Sequence, residues 1–258
     1  LGNPGDISIA PDGTIVIADG RHAHVRRVDA DGIIRNLAGA AFPWDKGDGG
    51  PALHANLIAP CAVEHHPDGD LYIADASAHR IRKVDAQTGI IDTVVGNGLA
   101  GHAGDGGPAD RARVGSPMSL RFDGAGNLFF CDAAHHIVRR MDARSGIVKT
   151  VLGCGEAGHS PDGTPAREAR LGAPHGLEVT PDGQTIYVSD TSNFQVRAVG
   201  PDGLLRTVAG SDDGGDAGDG GAATRARLNY PYGLRLYGDD VLLISDHWNN
   251  KIRAVKLT

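Results

Sequence analysis

Short apolar runs of about five residues recur along this chain, each closed by residues that favour turns. Leu71-Tyr72-Ile73-Ala74-Asp75 is one such run, and Arg80-Ile81-Arg82-Lys83-Val84-Asp85 and Ile90-Ile91-Asp92-Thr93-Val94-Val95 follow it. Ala62-Val63-Glu64-His65-His66 precedes them. Pro67-Asp68-Gly69, Gln87-Thr88-Gly89 and Gly96 supply the breaks. Aromatic and β-branched residues separated by such turn chemistry predict an antiparallel meander of four strands. The second run returns as Thr14-Ile15-Val16-Ile17-Ala18-Asp19, Asn127-Leu128-Phe129-Phe130-Cys131-Asp132, Thr185-Ile186-Tyr187-Val188-Ser189-Asp190 and Val241-Leu242-Leu243-Ile244-Ser245-Asp246. No run approaches the ~18 apolar residues of a membrane-spanning helix.

The returns keep a period of about 57 residues, and aspartates 48, 105, 162 and 219 stand 57 apart each time. Gly47-Asp48-Gly49-Gly50-Pro51-Ala52 matches Gly104-Asp105-Gly106-Gly107-Pro108-Ala109 and Gly218-Asp219-Gly220-Gly221-Ala222-Ala223, and a degraded copy holds Asp162 in register. Prolines 4, 60, 117, 174 and 231 open the units. After each insert, a segment such as Asp110-Arg111-Ala112-Arg113 predicts a single helical turn with its proline at the first helical position. Four-stranded units in series predict an all-β fold, a β-propeller of four-stranded blades. A parallel β-helix is disfavoured, because its coils are much shorter. Five repeats are visible, at about 1–57, 58–114, 115–171, 172–228 and 229–258, and they read as one domain. The fifth ends after its third strand. Propellers commonly close by pairing strands from the two termini, so the expectation is a further strand upstream of Leu1, a processed or truncated N-terminus, and five or six blades when complete.

Composition narrows the partners. A net charge of −7 argues against nucleic acid, which needs a basic footprint. Cys61, Cys131 and Cys154 stand at non-equivalent places in the repeat and give no disulfide framework. Cys131 replaces Ala18, Ala74, Ser189 and Ser245, which predicts a buried small residue.

The string Tyr72-Ile73-Ala74-Asp75 followed by His79-Arg80-Ile81-Arg82-Lys83-Val84-Asp85 resembles the NHL repeat. With the insert and the Pro-x-Gly-Leu opening, the chain is similar to bacterial NHL proteins over essentially its whole length. The resemblance implies blades of NHL type. It leaves function open, because NHL propellers include protein-binding, RNA-binding and enzymatic members.

The Pro-x openings, the loops after Asp19, Asp75, Asp132, Asp190 and Asp246, and the inserts are expected on one face, building one mouth of the channel. The residue after each proline differs: Gly5, Cys61, Met118, His175 and Tyr232. Cys61, Met118 and His175 together would suit a soft metal such as copper. Pro174-His175-Gly176-Leu177 also resembles the segment that carries a zinc-binding histidine in peptidylglycine amidating lyases. Cys61, Met118 and Tyr232 fill the matching positions, so that resemblance carries over one ligand. In the loops, His247 and Trp248 stand where other repeats carry small residues, and Trp248 reads as an aromatic anchor. His22 and His135 share one position, and with His175 they offer acid–base groups near neutral pH. Asp212, Asp213, Asp216 and Asp219 of the fourth insert form a calcium candidate. The aspartates recurring in every blade, and Arg26, Arg82, Arg139, Arg197 and Arg253, are expected to be frame: carboxylates bonding loop amides, arginines pairing between blades. The Gly-Asp-Gly-Gly aspartates are likewise expected to be turn formers that satisfy backbone amides.

Two functions follow. The first is a secreted or periplasmic module that binds a protein, peptide, glycan or small-molecule ligand on the insert-bearing face through Cys61, Met118, His175, Tyr232, His247 and Trp248. The alternative is a metal-dependent lyase or lactone-hydrolase-type enzyme, holding zinc or copper in the channel mouth, with His175, Tyr232 and His135 as catalytic candidates.

Overall fold

The computed structural model describes residues 1–10, 12–40 and 47–257. Among them the regular elements are β-strands and three-residue 3-10 turns, with no α-helix. The first repeat forms β1 (Pro4–Ile9), β2 (Ile15–Asp19), β3 (His24–Val28) and β4 (Ile34–Ala38). The two-residue β5 (Gly50–Pro51) leads to the second: β6 (Pro60–His65), β7 (Leu71–Asp75), β8 (Arg80–Val84) and β9 (Ile90–Val95). The third supplies β10 (Pro117–Phe122), β11 (Leu128–Asp132), β12 (Ile137–Met141) and β13 (Val148–Leu152). β14 (Pro174–Val179), β15 (Ile186–Asp190), β16 (Gln195–Val199) and β17 (Leu205–Ala209) make the fourth. The fifth has β18 (Pro231–Tyr237), β19 (Val241–Asp246) and β20 (Lys251–Lys256). The fold is all-β, a five-bladed β-propeller of antiparallel meanders, as the repeat predicts.

Two compact units divide the chain inside the third repeat: residues 1–122 with 141–148, and 123–140 with 149–258. In the first unit the strands run β1-β2-β3-β4 and β5-β9-β8-β7-β6. Its core joins the smaller face of one sheet (Val16, Ala18, Val25, Ala38) to the larger face of the next (Val63, Leu71, Ile73, Ile91). Each fully buried aliphatic there stabilises by roughly 1.5–3 kcal/mol. In the second unit the same match joins Phe129, Cys131 and Val138 to Leu177, Ile186 and Val188. Cys131 is fully buried, as its small-residue slot predicts.

The repeating charges are frame. Asp75 accepts from the Ile58 and Ala59 amides at 3.0 and 2.7 Å, Asp190 from Gly172 at 2.5 Å and Asp246 from Asn229 at 2.7 Å. Each bond ties the loop entering a sheet to the end of its second strand. The arginines reach the preceding insert: Arg82 bonds Asp48, Arg197 bonds Asp162 at 3.0 Å and Arg253 bonds Asp219 at 2.6 Å. These insert aspartates were expected to satisfy backbone amides; Asp162 accepts the Thr207 amide at 2.9 Å, and Asp48, Asp162 and Asp219 also meet arginines of the next repeat. The turn after each insert is 3-10, and Pro51, Pro108 and Pro165 precede it with ψ near 132–136° rather than opening it.

The insert also departs from its expected place. Gly50 pairs with Ile91 and Pro51 with Ile90, so the Gly-Asp-Gly-Gly tip lies beyond β9. Cys61 sits on β6, at the opposite edge of that five-stranded sheet. Four strand spacings of about 4.8 Å separate the two edges. The tip also meets the start of β9, whereas Pro60 meets Asp75 at the far end of the ladder. It therefore does not build a mouth around the Pro-x residues.

Candidate functional site

The opening strands share a device that frees the variable position. Register breaks between Pro4 and Asp6, Pro60 and Ala62, Pro174 and Leu177, and Pro231 and Leu234. A bulge takes the residue after the proline out of the ladder and re-aims its side chain. Gly5, Cys61 and Met118 belong to the first unit, His175 and Tyr232 to the second. In the first unit both sulfur atoms are engaged. The Cys61 thiol donates to the Pro117 carbonyl at 3.0 Å, and the Ser116 hydroxyl donates to Met118 Sδ at 3.4 Å. Burial, with Asp75 and Asp6 nearby, pushes the Cys61 thiol up to about 12. A metal binds the thiolate, so this environment works against a soft-metal role for Cys61.

The second unit gathers rings. His175 lies 4.5 Å from Tyr232, centroid to centroid, and Tyr232 lies 4.8 Å from His247. The neighbour of His247 in sequence, Trp248, stacks on Tyr230 at 4.0 Å and 21°, and Phe194 meets Tyr230 edge-on at 5.7 Å. Two sets of ring contacts thus join at the His247–Trp248 peptide into one band, from Phe194 to His175. Trp248 is 59% exposed, whereas Tyr230, Tyr232 and His175 are half-buried.

Local structure fixes the band. The Ser189 hydroxyl donates to the Tyr232 carbonyl at 2.6 Å, and Thr191 donates to Pro231 at 2.8 Å. At Gly176, any Cβ would overlap the Tyr232 carbonyl, which lets β18 approach closely and bring Tyr232 over His175. The Nδ1 of His175 bonds the Ala173 carbonyl at 2.8 Å, so Nδ1–H donates and Nε2 is left as an acceptor. Burial lowers the pKa of His175 and favours that neutral form. Tyr230 holds φ 53° and Phe194 φ 57°. The same positions are left-handed in other repeats, at Ala23, His79, His136 and Asn250 and at Asn3 and Ala173, so the backbone belongs to the repeat and the aromatic side chains are what set this unit apart. Tyr230 and Phe194 escaped the sequence reading; the detectable signal was an aromatic at a position that takes a left-handed backbone.

The other candidates sit elsewhere. His135 Nδ1 bonds Asp132 at 3.1 Å and His22 bonds Asp19 at 3.0 Å. Asn193 and Asn249 make the equivalent bond to Asp190 and Asp246 at 2.9 Å, so an asparagine serves as well in that frame position. Asp216 takes Lys251 at 2.6 Å, Asp219 takes Arg253, Asp213 faces Arg227 at 3.6 Å, and Asp212 accepts from Gln195 at 2.9 Å. The four carboxylates point to four partners. Among the described residues, no three His, Cys, Asp or Glu side chains converge as a metal site requires. Among the described residues, no helix is long and apolar enough to cross a membrane.

No family model matches the chain. It is 26% identical to protein SUPPRESSOR OF QUENCHING 1, chloroplastic, of Arabidopsis thaliana, over 72% of this chain and 18% of that protein. NHL repeat-containing protein 2 of Bos taurus is 25% identical over 93% of this chain. The chain is an NHL-repeat β-propeller. Among solved structures, an auxiliary nutrient binding protein from Bacteroides ovatus superposes on this NHL propeller with a TM-score of 0.73 at 18% identity, over 99% of this chain and 59% of that one. The propeller spans only 18% and 36% of the length of the two curated relatives.

Proposed function

We propose that this NHL propeller is a non-catalytic binding module that takes a saccharide ring of a glycan on the band from Phe194 to His175. The observation that carries this reading is the stacked Tyr230–Trp248 pair, which exposes Trp248 beside His247, Tyr232 and His175. A ring already backed by another ring loses little freedom on binding, so more of its contact energy survives as affinity. Trp248 offers a flat apolar face to sugar C–H groups. The Tyr232 hydroxyl and the His175 Nε2 stand ready for sugar hydroxyls. The auxiliary nutrient binding proteins among the solved neighbours agree with a binding role.

Trp248 reports on the test. With Trp44 replaced by Phe, titrating a panel of oligosaccharides should shift Trp248 fluorescence saturably, and calorimetric titration of Trp248→Ala should show affinity lowered at least about tenfold. A panel that leaves the emission unchanged, while peptides shift it, would replace glycan by peptide. The lyase or lactone-hydrolase alternative rests on one arrangement, the neutral His175 beside Tyr232. A catalytic zinc needs about three protein ligands. Stoichiometric zinc in the purified protein, lost in His175→Ala, would favour that alternative over the binder.

A further inference from the structure

The second and third repeats meet through rings. Tyr72 on β7 lies 4.8 Å from Phe122 on β10, centroid to centroid and edge-on at 78°, and His66 lies 4.8 Å from the same ring. Tyr72 stands three residues before the aspartate that ends its strand, and Phe129 and Tyr187 hold that place in the next two repeats. In the first repeat the place falls to Val16, and Ala10 stands where the second has His66. The lost bulk leaves a cavity of about 570 Å³ between the first two sheets, with Val16, Leu71 and His65 among its walls. His65 is the equivalent of Phe122. The walls belong to sheets of four and five strands, each with its full set. The cavity shares no residue with the band from Phe194 to His175.

Polar groups round the cavity match those round Tyr72. Burial raises the pKa of Tyr72, and Lys83, Asp68 and Asp70 are the charges that reach its hydroxyl. Arg27, Asp12 and Thr14 hold those three places in the first repeat, and all three line the cavity. Arg27 pairs with Val16 across the ladder as Lys83 pairs with Tyr72. Arg140 is their equivalent in the third repeat, and its guanidinium carbon stands 5.8 Å from the centroid of Phe129. We propose that the cavity binds a small phenol, its ring in the place of the Tyr72 side chain and its hydroxyl at Asp12 and Thr14. The Arg27 guanidinium then covers the ring face, as Arg140 covers Phe129, and the His65 imidazole supplies the edge contact that Phe122 makes with Tyr72. Both partners are set beforehand. His65 Nδ1 is hydrogen-bonded to the Ser8 hydroxyl at 2.9 Å, and Arg27 Nε is paired with Asp29 at 2.8 Å. Asp12 accepts the Thr14 amide at 2.9 Å, which holds its carboxylate at the rim to accept the phenol O–H. Groups already in position lose little freedom on binding.

The probe is p-cresol, the tyrosine side chain cut free. Titrated into the intact isotope-labelled chain and followed by NMR, it should shift Val16, Leu71 and His65 saturably, with one site and a Kd below about 1 mM. Toluene, which lacks the hydroxyl, should bind at least about threefold more weakly, because it leaves the rim carboxylate without a donor. Val16→Tyr fills the space with a phenol of the chain's own, so it should abolish binding and leave the melting temperature no lower than the parent's. Tyr72→Val opens the equivalent space at the next interface and should raise the number of bound p-cresol molecules from one to two. No saturable shift up to about 5 mM p-cresol would overturn the proposal. So would toluene binding as tightly as p-cresol, shifts that persist in Val16→Tyr, or a single bound molecule in Tyr72→Val.

Discussion

Gly176 and Gly233 fill the same slot in successive repeats but border different space. A Cβ on Gly176 would overlap the Tyr232 carbonyl, whereas on Gly233 its nearest neighbour would be Ser245 Cβ at 3.7 Å, an ordinary contact. Gly176→Ala is therefore expected to cost about 1–3 kcal/mol in urea unfolding, and Gly233→Ala less than about 0.5 kcal/mol. Equal costs would mean that the close approach of β18 to β14 does not hold in solution. His175 gives a pH test at the same scale. Burial disfavours its imidazolium, so its folded pKa lies below the unfolded value of about 6.5. The unfolded chain then binds more protons as pH falls through 6.5, and stability present above that value is lost toward the lower folded one. His175→Asn should fall less in melting temperature than the parent between about pH 7.5 and pH 5. Identical falls would remove His175 from the acid response. His65 and His136 are shifted in the same direction by burial and remain as background in both proteins.

At the scale of elements, the arginine of each third strand and the aspartate of the preceding insert bind one repeat to the next. Arg197 is fully buried, with Nη2 bonded to the Ser160 carbonyl and to Asp162 at 3.0 Å each, and with Asp190 at 3.8 Å. Removing the guanidinium leaves Asp190 buried without its cation, so Arg197→Ala is expected to cost about 3–5 kcal/mol in urea unfolding. Asp162 is more than half exposed, and Asp162→Asn should cost no more than about 1 kcal/mol. A cost for Arg197→Ala below 1 kcal/mol would mean that the frame is held by packing alone. These charges were legible in the sequence because repetition marks them: five copies of Asp and Arg at the same place in the repeat suit a frame better than a reaction. The insert was not, because its tip pairs with the last strand of the following repeat, and nothing local in Gly-Asp-Gly-Gly encodes that partner. The band was half legible. His175, Tyr232, His247 and Trp248 broke the repeat, but their stacking depends on bulges and left-handed residues that fold the openings toward the loops.

At the scale of the molecule, each interior sheet lends one face to the sheet before it and the other to the sheet after. Val63 and Ile91 are fully buried in this way, but their equivalents in the first sheet, Ile7 and Ile34, are 58% and 48% exposed. In repeat proteins, stability is close to a sum of intrinsic terms and nearest-neighbour interfaces, so a sheet with one covered face opens at lower free energy than a sheet with two. Amide hydrogen exchange should therefore be uneven: fast in β1–β4 and β20, slow in β15 and β16, whose side chains from Val196 to Val199 are all buried. Even protection across all sheets would contradict nearest-neighbour stability here. A saccharide on Trp248 should leave β20 as it was, because the ring contacts involve side chains.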